Sequence, residues 1–194
     1  MQESMNTTTV SQSSQWSNAW NRVASHRLWS FLLIAIGSAS SVIYPHPPLV
    51  AFGAIAGTTL TPKRALSAAA AIWLVNQIYG YALRQYPQTS EALLWGLVMG
   101  LGTVLVTAMA AIRPTLSKMT RKGHWVWVAI SVVTGFLLFE SLVLSLGLLL
   151  TGEHVLTWAI FGRLLVKDLI WAFALTLIHV SLTRLIIQST GVIS

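Results

Sequence analysis

The 194-residue chain contains no cysteine, which excludes disulfides, thiol catalysis and zinc–thiolate centres. Acids are scarce as well: five Asp and Glu stand against twelve Lys and Arg. Charged residues make up only 9% of the chain, where a soluble domain carries about 25%. No G-x-x-x-x-G-K-[ST] phosphate loop occurs, so any use of ATP belongs to a partner. HExxH and GxSxG are missing, which removes two common hydrolase signatures. The formal charge of +7 invites a nucleic-acid reading. The bases, however, sit in short loops between apolar segments, and no RNA-binding motif accompanies them. No nucleic-acid partner, metal centre or cofactor is expected.

What the chain does contain is apolar: 55% of it is hydrophobic and the mean hydropathy is +0.69. This composition predicts an all-α, polytopic membrane bundle. Six apolar segments follow one another, at about 28–44, 46–61, 64–83, 91–112, 126–151 and 164–187. All but the second approach the roughly 20 residues that cross a 30 Å core. The second opens on Pro47-Pro48, which suits a helix start, and is short enough to be tilted or re-entrant. Basic and non-basic loops alternate between the segments, which predicts that both termini are cytoplasmic, in a bacterial inner membrane. Residues 1–27 form a polar tail, expected as either a disordered lead or a short interfacial helix showing Trp16, Trp20 and Val23 on one face. Residues 188–194 form a short C-terminal tail. "LWSFLLIAIGSASS" has the order of a signal-peptide cleavage region, but its polar lead is too long, so it is read as a retained span.

With that orientation, 1.5 Å per residue sets depth. Glu140 lies about 22 Å up a roughly 30 Å core, in the outer half. Trp73, Asn76 and Gln77 share one face of the third segment, near or above the midplane. Trp95 lies one turn below the outer surface, and Lys167, Asp168 and Trp171 lie one to two turns inside it. These eight residues are the candidate ligand-binding set, gathered in an outer pocket where Glu140 keeps solvent or meets Lys167. Each has a plainer reading. Glu140 serves as a structural bridge, Asn76 and Gln77 as hydrogen-bond glue between helices, and the tryptophans as belt residues. His46 stands in an outer loop and can cap the pocket, and His179 reads as a satisfied bundle residue rather than a metal ligand. Gly53-x-x-x-Gly57, Gly96-x-x-x-Gly100 and Ala35-x-x-x-Ala39 mark close helix approach or a docking groove.

The six-segment bundle, Ala35-x-x-x-Ala39 and the stretch "GAIAGTTLTPKRALSAAAAIWLVNQ" together resemble the S components of energy-coupling factor transporters. The resemblance covers about residues 28–187. It implies a substrate-capture subunit with an outer pocket, a transmembrane coupling subunit docked at Ala35 and Ala39, and ATP hydrolysis by separate cytoplasmic ATPases. The expected function is therefore uptake of a small solute, vitamin-like or a metal ion, without catalysis by this chain. The alternative is a non-catalytic scaffold or assembly factor of a larger membrane complex. An intramembrane enzyme fits less well, because Glu140 and His179 differ in depth by roughly 14 Å. A self-contained transporter fits less well too, because the halves show no internal repeat.

Overall fold

The computed structural model describes residues 2–151 and 157–191, with side chains from 13 to 150 and from 157 to 189. Every regular element among them is helical: α1 (Gln2–Ser25), α2 (Arg27–Ile43), α3 (Leu49–Thr59), α4 (Pro62–Ala82), α5 (Ser90–Ala110), α6 (Thr115–Met119), α7 (Arg121–Thr151) and α8 (Trp158–Gly191). Three of these, α5, α7 and α8, are long and apolar enough to cross a membrane, and α1 with α2 makes a fourth if their 62° bend lies within one span. The chain is a helical membrane protein.

The bundle is organised around α3. Its sequence, LVAFGAIAGTT, is apolar or small on every side, and a helix of that kind has no face for water. All eleven residues are buried, enclosed by α2, α4, α5, α7 and α8. At about 16 Å it is too short to cross a bilayer core by itself. Its glycines permit the enclosure. A Cβ on Gly53 would stand 3.2 Å from the Thr103 carbonyl, and one on Gly57 would stand 2.5 Å from that of Thr107, so the backbones of α3 and α5 meet directly. Buried hydroxyls are answered within their own helices. Thr58, Thr59, Thr103 and Thr107 each donate to a carbonyl one turn back. Trp29 on α2 donates from Nε1 to Thr59 Oγ1 at 2.9 Å, fixing the far end of α3.

The N-terminal segment is a helix, α1, and it packs on protein. Trp16, Trp20 and Val23 are all buried, because α1 lies against α6 and α8. His26 ends the segment by accepting a hydrogen bond from Leu28 N through Nδ1, which starts α2 after the bend. Elsewhere the boundaries shift modestly. α7 begins at Arg121 rather than 126, α8 begins at Trp158 rather than 164, and α8 runs to Gly191, past the expected tail boundary at 188. The loop "RPTLSKMTRKGHW" contains a short helix, α6. Gly152, Glu153 and His154 of the loop expected after α7 lie outside the described residues, as do the last three residues of the C-terminal tail.

Replacing Gly57 by alanine should force α3 and α5 apart and lower stability by about 1–3 kcal/mol, the usual range for overpacking. Gly162→Ala is the control, since a Cβ there meets nothing within 4 Å. Thermal unfolding in detergent should show a lower midpoint for the first variant and an unchanged or raised one for the second.

Candidate functional site

A cavity of about 380 Å³ opens beside the start of α3. The segment before α3 contributes His46 and Pro47, α3 contributes Leu49 and Val50, and α5 contributes Trp95 and Met99 one turn apart. α7 contributes Phe139, Glu140 and Val143, and α8 contributes Ile160, Leu164, Lys167 and Asp168. The α8 residues recur at i, i+4, i+7 and i+8, which is one helix face. The walls are therefore aliphatic and aromatic, with charge at three points.

Those three charges are engaged differently. Asp168 is buried, and its Oδ1 accepts the backbone N–H of Ala51 at 2.9 Å. Pro48, at the N-cap of α3, has no side-chain oxygen to offer, so a carboxylate from α8 fills that role. Lys167 donates from Nζ to the His46 carbonyl at 2.5 Å and stands 5.7 Å from the centre of the Tyr44 ring. Adjacent residues on α8 thus hold the loop and the helix that follows it. Glu140 is also buried, yet among the described residues it makes no hydrogen bond and no ion pair. His46 stands at the mouth. Partial burial, then the nearby Lys167 and Arg84 cations, lower its pKa below the usual histidine value, so its ring is neutral at pH 7.

Of the eight residues expected to form one pocket, Trp95, Glu140, Lys167 and Asp168 line this cavity. The other four do not. Trp73 lies in the glycine groove of α5, where a Cβ on Gly100 would be 2.6 Å from its ring, and its Nε1 donates to the Gly96 carbonyl at 2.8 Å. Gln77 packs against Gly96 and donates to Asn76 Oδ1 at 3.3 Å. Asn76 is buried and donates to Ser41 Oγ on α2, also at 3.3 Å. The polar face of α4 therefore joins α2 to α5. Trp171 stacks on Phe52 at 5.4 Å and meets the edge of Tyr44 at 6.4 Å, in a shallow groove that also includes Arg163 and Lys167. The apolar lining from Met99, Phe139 and Leu164 was not legible as a site, since such residues look the same in any membrane helix.

The opposite end holds a second polar cluster. His124 on α7 and His179 on α8 are fully buried, with ring centres 5.1 Å apart, between Trp16 at 5.8 Å from His124 and Trp29 at 5.6 Å from His179. Neither nitrogen of either ring has a hydrogen-bond partner among the described residues, so His179 is not the satisfied residue that the sequence reading expected. Arg113 lies 3.2 Å above the Trp20 ring, and burial lowers its pKa to about 10, which leaves it charged. By hydropathy His124 falls between the fourth and fifth apolar segments, at 91–112 and 126–151. Its spacing to Val128, Ser131 and Gly135, at i, i+4, i+7 and i+11, is the helical signal that would have found it.

No family model, curated protein or solved structure matches the chain.

If Asp168 serves chiefly as the cap of α3, removing its oxygen leaves a buried N–H unanswered, at about 1–3 kcal/mol. Asp168→Ala should therefore unfold at a clearly lower temperature in detergent. Asp168→Asn, which keeps an acceptor, should lose much less. Equal loss in both variants would mean that the charge, not the hydrogen bond, is what the fold requires.

Proposed function

We propose that the chain is a substrate-capture subunit for uptake of a small solute, with ATP hydrolysis supplied by partner subunits. The single observation that carries this reading is the cavity: an apolar chamber bordered by the Glu140 carboxylate, which makes no hydrogen bond or ion pair among the described residues. A scaffold has no need of such a group, whose burial without a partner is unfavourable.

Two further features support the reading. Ala35 and Ala39 lie on the exposed side of α2, in line with Phe31 and Val42, where a coupling subunit's helix can approach closely. Basic residues gather at the end away from the cavity. Arg121, Lys122 and Arg184 border one groove with Trp16, Arg113 stacks on Trp20, and Arg64 bonds the Ser25 carbonyl. By the positive-inside rule that end is cytoplasmic and the cavity faces outward. In the full proposal about six segments cross a bacterial inner membrane, α3 as a buried short one, with both termini inside.

The test is binding by the purified chain in detergent, against a panel of vitamins, their precursors and divalent metal ions. Stabilisation by at least one compound, weakened in Glu140→Gln, is expected. Because the chain has no cysteine, single cysteines at positions 46, 140 and 179 give a clean labelling background. An impermeant thiol reagent added to intact cells should modify 46 and 140 but not 179. No binding across the panel, together with copurification in a large complex that lacks an ATPase, would favour the scaffold reading.

A further inference from the structure

We infer that the solute taken by this cavity is a small organic monocation, an amine or ammonium compound with a compact apolar or aromatic body. This rests on the capture reading and assigns the solute a charge.

The inference follows from how the charges at the cavity are engaged. Asp168 answers the amide of Ala51 and Lys167 answers the carbonyl of His46, so each has a partner within the protein. Glu140 has none among the described residues, although Lys167 is near enough to feel its charge. His46 adds no charge at neutral pH. Of the charged groups at the cavity, Glu140 is the one with no hydrogen bond among the described residues. The unmet requirement is therefore a positive hydrogen-bond donor at Glu140.

Other classes of solute fit less well. An anion would have to take Lys167 from the loop it holds, and would do so beside two carboxylates. A neutral apolar solute would cover Glu140 without compensating it, which is unfavourable. A bare metal ion would find too few ligands, since no group of three His, Asp or Glu able to hold one occurs among the described residues. An organic cation satisfies Glu140 and leaves its body against Met99, Phe139, Val143 and Leu164. Trp95 adds an aromatic wall, the surface on which a cation is favoured. A volume near 380 Å³ lies toward the lower end for small-molecule sites, so the body is one or two rings rather than a large cofactor.

The experiment compares three solutes of one shape and different charge: tryptamine, tryptophol and indole-3-propionate. Each is titrated into the purified full chain in detergent, and binding is read by thermal shift and by isothermal calorimetry. Tryptamine should bind at least tenfold more tightly than the other two, and Glu140→Gln should remove that preference. The ranking is measured on the unmodified chain, so it stands whether or not the variant folds. Equal or tighter binding of the acid or the alcohol would overturn the cation assignment while leaving capture in place. Failure of all three, together with failure of the broader vitamin and metal panel, would overturn both.

Discussion

A helix whose two ends both lie inside a protein must have its free amides answered there, and the bond from Ala51 N to Asp168 is the answer in this chain. Everything at the cavity end is arranged around that contact. α3 cannot meet water on any side, and it is preceded by prolines that accept through their carbonyls but offer no side-chain cap. The acceptor must therefore come from a neighbouring helix, which requires α8 to pass close to the start of α3. That passage brings Lys167 against the incoming loop and leaves α7 opposite, with Glu140 facing the space between. The cavity is the gap left where a short rod ends before its long neighbours do.

The two ends of the bundle handle polarity in different ways. At the cavity, charges are few and are held by backbone groups, with one carboxylate left over. At the other end, two imidazoles, three indoles and a guanidinium are packed together with no acid among those named, and the aromatic faces take the place of counter-charges. The positive charge of Arg113 over Trp20 is the kind of pairing that works without a carboxylate. The scarcity of acids is thus felt throughout the fold. Where an acid does occur inside, its position is either structural, as at Asp168, or unassigned by the fold, as at Glu140.

Helix type and approximate boundaries were legible because apolar runs and turn residues are local signals, and α2, α4 and α5 fall within about two residues of where hydropathy puts them. The shortness of α3 was legible too, from Pro47-Pro48 and the few apolar residues that follow. Azimuth was not. Depth alone put Trp73 near the midplane and Asn76 and Gln77 above it, in the half that holds Glu140, but depth does not say which way a helix is turned. The glycines of α5 draw that face of α4 into a helix–helix seam. Trp171 shares the face of α8 that carries Asp168, but it lies about one turn further along, where it meets Phe52 instead of the cavity. The burial of α1 was hidden because its polar composition resembles a solvated tail, while contacts that hold it come from far along the chain, such as Arg113 on Trp20 and His124 on Trp16.

One rod, α3, touches the chamber with its first turn and the Trp29 indole with its last. Its eleven residues are packed on all sides, with backbone against backbone along α5, so it has little freedom to bend or to shed a side chain into lipid. A push at one tip is therefore transmitted as motion of the whole piece. Trp29 rides on α2, the helix whose outer side carries Ala35 and Ala39, and it stacks on His179. The chamber and the helix that carries that outer surface are thus linked through α3 and, by way of His179, through α8 as well.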